Sequence, residues 1–156
     1  MKTNTQNNKG FTLIELIMVT IILGILAAVA IPRYMATVTQ AEEAAEDAVI
    51  SSIKAGLETY ATEQLMTHGR REWPVNPFDA LETKPAGYAV DNIGHPTNSG
   101  DAASDGEWTY NTTDGSGNVD GTITHMRGDN SVKTWDYDDG IHDSGSQAVG
   151  SVGARN

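Results

Sequence analysis

The chain of 156 residues has no cysteine, so neither disulfides nor thiolate metal sites hold its fold together. Positive charge is scarce, with 10 Lys and Arg against 21 Asp and Glu and a formal net charge of -11. A phosphate backbone demands a basic face, which argues against nucleic acid as a partner. Aromatic residues make up only 6% of the chain while glycines number 16, the composition of a small core with long loops. Catalytic signatures are missing too. His68, His95, His125 and His142 are scattered, without an i, i+4 pair or a glutamate at metal-site spacing. No serine or threonine sits in a nucleophile elbow, and no glycine loop is built to cradle phosphate. The chain therefore reads as a non-enzyme, with Trp73, Trp108 and Trp135 as core or loop anchors rather than a stacking platform. Asn111-Thr112-Thr113 fits a glycosylation sequon, a weak signal on its own.

Apolar residues, by contrast, are concentrated in one run. From Phe11 to Ile31 the sequence is apolar except for Thr12, Glu15, Thr20 and Gly24. An α-helix needs about 20 such residues to cross a hydrocarbon core of roughly 30 Å. The preceding MKTNTQNNKG carries Lys2 and Lys9 and no acid, a targeting segment whose charge keeps the N-terminus cytoplasmic. Three readings fit this much: a secretory signal cut after Ala30 of Ala28-Val29-Ala30, an uncleaved anchor, or a helix used for something besides anchoring. The first two leave Glu15 unexplained, since a charge at mid-bilayer costs about 2.5–3.5 kcal/mol on insertion scales.

The segment KGFTLIELIMVTIILGILAAVAIPRY, with its lone acid five residues after a Lys-Gly junction, closely resembles the N-terminus of type IV pilins and pseudopilins. The resemblance covers roughly residues 9 to 35. It implies a leader of residues 1–10, cut by a prepilin peptidase between Gly10 and Phe11, with N-methylation of the new amine on Phe11. It implies that residues 11–35 are the membrane and polymerisation half of a long helix. Gly24 and Pro32 match positions where family filaments have locally unwound backbone. Loss of Lys2 and Lys9 takes the formal charge from -11 to -13 and leaves a cationic amine in apolar surroundings. Glu15 of one subunit can then pair with the Phe11 amine of a neighbour, each charge satisfying the other. On this expectation a lone subunit holds an unsatisfied carboxylate and an assembled one does not, so Glu15 fixes register as a buried polar residue does in a coiled coil. The aromatics Phe11, Tyr34 and Tyr60 read as bundle packing rather than an electron path.

Beyond Pro32 helical periodicity resumes. Val38, Ala41, Ala45, Val49, Ile53, Leu57 and Tyr60 recur in steps of three and four, with Glu42, Glu43, Glu46, Asp47 and Glu58 assigned to an outer acidic face. The spacing predicts one helix from about Thr12 to Thr67, closed at His68-Gly69 and on the order of 80 Å long. NPFDALE suggests one helical turn with Asn76 as its cap. GEWTYNTT, GTITHMR and SVKTWDYD alternate as strands joined by hairpin chemistry. Trp108, Tyr110, Ile123, Met126, Val132 and Trp135 are expected on their inward face. The fold class expected is α+β: a long N-terminal helix packed on a small antiparallel sheet of about three to four strands, the ladle-shaped pilin fold. Its globular head spans residues 36–142, and 143–156 is expected to be a flexible tail. Many pilins close this region with a disulfide, which this chain cannot do. Calcium is a weak alternative, because Asp114, Ser116, Asn118 and Asp120 alternate as in a calcium loop but lack its glutamate. No other cofactor is expected.

The expected function is a type IV pilus subunit, a homo-oligomer in a helical filament. Its expected partners are the prepilin peptidase and methyltransferase, the pilus or type II secretion assembly machinery, and the inner membrane. The alternatives are the major pseudopilin of a type II secretion system, with a periplasmic pseudopilus in place of a surface filament, and a secreted binding module released after Ala30.

Overall fold

The computed structural model describes residues 10–89, 101–111, 121–140 and 148–156. The leader before Gly10 and the calcium candidates Asp114, Ser116, Asn118 and Asp120 lie outside the described residues. One helix, α1 (Leu13–His68), runs through two compact units, Met1–Ala41 and Glu42–Asn156, each described here by itself.

In the first unit α1 starts at a capping box. Thr12 precedes the first helical residue, its hydroxyl oxygen accepts from Glu15 N–H at 3.3 Å, and Glu15 reaches back to the Thr12 N–H at 2.9 Å. Helix continues unbroken through Gly24 and Pro32, although Pro32 has no N–H to donate to the Ala28 carbonyl. Thr20, Thr37 and Thr39 return their hydroxyls to backbone carbonyls three or four residues earlier, which satisfies them without a partner outside the helix. The large apolar side chains are exposed: Phe11 at 84%, Leu16 at 60% and Leu26 at 60% are representative.

In the second unit α1 ends where its sequence signals place the stop. Gly69 adopts φ 76°, and its N–H returns to Leu65 O at 3.0 Å. Asn76 caps a 3-10 turn over Pro77–Ala80 by accepting from the Phe78 N–H at 3.0 Å. That turn lies so close to α1 that a side chain on Gly56 would place its first carbon 2.6 Å from the Ala80 carbonyl oxygen. Three strands follow, β1 (Trp108–Asn111), β2 (Gly121–Met126) and β3 (Val132–Tyr137), as an antiparallel meander in the order β1-β2-β3. The core joins Ile50, Ile53 and Leu57 of α1 and Phe78 to Trp108, Tyr110, Ile123, Trp135 and Tyr137 of the sheet. Each such burial stabilises by roughly 1.5–3 kcal/mol.

Three expectations need correction. Met126 and Val132 pair with each other but belong to the other face of the sheet, because side chains alternate and residue 126 differs in parity from Ile123. His125 and Tyr137 take the core-facing places instead, opposite Trp108 and Gly121. The buried stripe of α1 is Glu46, Ile50, Ile53, Leu57 and Ala61, so from Ile53 back towards the N-terminus it is rotated one residue from Ala45 and Val49. Finally, residues 148–156 are not a flexible tail. They run along the outer edge of β3, with Gly150 N–H to Asp138 O at 2.7 Å, Gly153 N–H to Asp136 O at 2.9 Å and Asn156 N–H to Thr134 O at 2.9 Å. Val152, 6% exposed, bridges Tyr137. At the opposite edge Gly87–Ala89 covers β1, through Trp108 N–H to Gly87 O and Ala89 N–H to Trp108 O. Both sheet edges are thereby paired, which blunts edge-to-edge association.

Candidate functional site

The first site is the N-terminal end of α1. Glu15 Oε2 accepts from the Thr12 hydroxyl at 2.6 Å and from the Thr12 N–H at 2.9 Å. A lone chain therefore already supplies two donors to this carboxylate, which corrects the expectation that it is unsatisfied before assembly. Both bonds fall on Oε2, and Oε1 has no protein partner among the described residues. A carboxylate offers about four lone-pair sites, so Glu15 can hold the Thr12 cap and a cation together. Gly10 and Phe11 are both exposed just ahead of the cap. Around this acid the helix presents Leu13, Ile14, Leu16, Ile17 and Met18, all exposed. By length and composition α1 is long and apolar enough to cross a membrane, and none of its most apolar window is buried by its own chain. Gly24 has open space where a side chain would stand, so no contact within the single chain demands glycine there.

The second site is in the head and is not evident from the sequence pattern. Glu46, assigned to the outer face, is fully buried at 0% exposure. Arg127 holds it with a fork, Nε to Oε1 at 2.7 Å and Nη2 to Oε2 at 2.7 Å, and the guanidinium is itself only 4% exposed. His125 Nδ1 lies 2.9 Å from Oε1, and Arg155 Nε lies 3.2 Å from Oε2. Burial pushes the Glu46 carboxyl up, but the bonds from Arg127 and His125 and the charges of Arg127 and Arg155 outweigh it and hold the group below the ordinary glutamate value. The same fork drives the Arg127 guanidinium further into its charged form. Glu43 adds a looser contact to Arg127 at 3.6 Å, and Arg155 also binds the Asp47 carboxylate.

Aromatic rings connect these charges. His125 stacks on Trp108 at 4.3 Å, Trp108 on Trp135 at 5.7 Å, and Arg155 sits over Trp135 at 5.8 Å. The circuit Glu46–His125–Trp108–Trp135–Arg155–Glu46 ties α1, all three strands and the C-terminal stretch to one carboxylate. Among the sequence-predicted residues, Gly10, Phe11 and Glu15 lie together at the helix start, while Gly24 and Pro32 lie further along the same helix. The residues that sequence reasoning missed are Glu46, His125, Arg127 and Arg155. A signal was available: two arginines and a histidine at strand and C-terminal positions in a chain poor in cations.

Comparison with known proteins bears on the first site. Residues 5–31 match the prokaryotic N-terminal methylation motif. Over 72 residues the chain is 44% identical to the fimbrial protein of Neisseria meningitidis serogroup A, covering 46% of this chain and 39% of that one. It is 47% identical over 47 residues to the type IV narrow pilus major component PilA5 of Thermus thermophilus, covering 30% and 40% of the two chains. It is 34% identical over 82 residues to the type II secretion system core protein G of Pseudomonas aeruginosa, covering 53% and 55%. No solved structure matches. The chain thus spans about half the length, or less, of the curated relatives it matches. The matched motif and the bare apolar stretch of α1 coincide at the N-terminal end of the chain. Over the aligned stretches the chain is similar to type IV pilins and to a type II secretion core protein.

Proposed function

We propose that the chain is a structural subunit of a type IV pilus. It is made as a single-pass inner-membrane precursor, cut between Gly10 and Phe11, N-methylated on Phe11, and polymerised through the apolar half of α1. One observation carries this reading: the side chains from Phe11 to Ile31 form a long apolar surface that their own unit leaves bare, with Glu15, beside the cut site, its one charged residue. Such a surface requires lipid, neighbouring helices, or each in turn. Glu15 Oε1 is then the acceptor for the Phe11 amine of an adjacent subunit, with Thr12 holding Oε2 throughout. Gly24 and Pro32 supply the points at which the packed helix can unwind, since one lacks a side chain and the other already lacks an N–H. No catalytic step is assigned to the chain. Its partners in this reading are further copies of itself, the prepilin peptidase and methyltransferase, and the filament assembly machinery.

The pseudopilin of a type II secretion system is the second reading, favoured by one specific observation. The type II core protein G is matched over 55% of its length, against 39% for the meningococcal fimbrial protein. N-terminal sequencing and mass measurement of the chain recovered from filaments test both readings together. A chain starting at N-methyl-Phe11 in long surface fibres supports the pilin, and the same start in short periplasmic fibres supports the pseudopilin. A soluble chain starting at Ile31 overturns both in favour of a released binding module.

A further inference from the structure

The stretch 148–156 pairs with β3, yet its own sequence, AVGSVGARN, has little to hold it there. Gly150 and Gly153 favour coil over strand, and Val152 is its one buried apolar side chain. Ordering nine residues costs more than the burial of one valine returns. Beyond its backbone hydrogen bonds to β3 and the residue after it, the side-chain anchor is Arg155. Its guanidinium, 23% exposed, reaches past the sheet edge to α1, lying 3.2 Å from Glu46 Oε2, donating to the Glu43 carbonyl at 3.2 Å and binding the Asp47 carboxylate. Its flat face lies over Trp135.

The arrangement at Glu46 is asymmetric in a way that matters. Arg127 and His125 meet the carboxylate from β2 and the turn that follows it, with normal hydrogen-bond geometry. Arg155 approaches as an added charge, and its Nε makes no hydrogen bond despite being buried. Removing Arg155 leaves Glu46 still forked by one guanidinium and bonded to an imidazole, so the head keeps a satisfied carboxylate. Removing Arg127 does not. We propose that residues 148–156 form a strap that closes the outer edge of β3, latched by Arg155 onto Glu46 and Asp47, and that it can open while the rest of the head stays folded. In a chain without cysteine this ionic latch does the closing, and it opens without reduction of any bond. Opening frees the backbone groups of Thr134, Asp136 and Asp138, the row that the strap otherwise pairs.

Amide hydrogen exchange on the full-length chain in detergent micelles tests this. The strap amides are those of Gly150, Gly153 and Asn156, with Thr134 reporting from β3. Met126, whose N–H donates to Glu107 O at 3.1 Å, reports on the head away from the strap. In Arg155→Ala the four strap-side amides exchange roughly 10- to 100-fold faster, the weight of a charge-assisted contact, and Met126 is unchanged. Arg155→Lys, which keeps the charge but loses the fork and the ring contact, falls between the two. Unchanged exchange at the four amides in Arg155→Ala overturns the latch. Equal acceleration at Met126, or failure of that variant to fold, also overturns it, because Arg155 then supports the whole head rather than a separable strap.

Discussion

Replacing Glu46 tests the central claim about the head. In Glu46→Gln the side chain keeps its volume and one acceptor oxygen, but Arg127, 4% exposed, loses its buried countercharge and keeps only the half-exposed Glu43 at 3.6 Å. Breaking a buried ion pair from one side costs about 3–5 kcal/mol, since the remaining charge stays desolvated. The retained acceptor places this variant near the low end, at about 3 kcal/mol. Unfolding entropy of about 2.1 cal/mol/K per residue over the second unit, Glu42–Asn156, gives roughly 0.24 kcal/mol/K. Melting should therefore fall by about 12 °C, read by circular dichroism on the full-length chain in micelles. The paired variant Glu46→Leu with Arg127→Met removes both charges and fills the space with apolar groups. It should recover most of that loss, because Arg155 can turn to solvent and no buried charge remains. A fall below about 3 °C in Glu46→Gln would refute the reasoning, and so would a double variant whose loss equals the sum of the single ones.

The remaining predictions concern acid and assembly. Glu46 has a folded-state pKa held below its unfolded value, so its contribution is complete above about pH 4.5 and lost as pH falls through the depressed folded value. The groups facing it are His125, Arg127 and Arg155, with Glu43 and Asp47 on the same helix. The gap in melting temperature between parent and Glu46→Gln should stay level from neutral pH to about 4.5 and close below it; closure already between about pH 7 and 5 would refute this account. At the other site, Glu15→Leu should abolish filaments while leaving cleavage after Gly10 intact, scored by electron microscopy and N-terminal sequencing, and normal filaments from it would remove the pairing argument. Thr12→Val loses the hydroxyl bond to Oε2 but leaves both oxygens able to accept the amine, so filament yield should drop severalfold without vanishing; a yield equal to that of Glu15→Leu would mean that the cap, and not the amine pair, is what assembly needs.

The sequence made the first site legible because everything that defines it is local. A run from Phe11 to Ile31, one acid within it and a Lys-Gly junction before it are contiguous features. Strand positions were legible for the same reason, since alternation over six residues is a short-range pattern. Parity across a strand was not: Met126 is as apolar as Ile123, and only the pairing of Trp135 with Ile123 decides which of them faces α1. Glycine and serine made residues 148–156 read as tail, since low strand propensity says nothing about an edge already waiting to be paired. The helix stripe was off by one residue at Ala45, Val49 and Tyr60, where Glu46, Ile50 and Ala61 are the buried positions. Hydropathy alone assigns Glu46 to water, and the cations that reverse this come from positions 125, 127 and 155, far along the chain.

Two carboxylates placed against expectation thus receive opposite treatments, and the difference follows from where their donors lie. Glu15 is capped by Thr12 within one helical turn, so its satisfaction survives any change in what surrounds the helix. On the proposed pilus reading, that suits a group passing from lipid to a packed filament without ever being wholly unpaired, with Oε1 left to accept from a neighbour. Glu46 draws its donors from β2, the following turn and the C-terminal strap, so its satisfaction exists only when the head is folded. Here the dependence is the useful property. A carboxylate that is tolerable in one tertiary arrangement alone penalises every other packing of a small, loop-rich core. On that reading the first acid keeps its chain competent in two environments, and the second restricts its domain to a single fold.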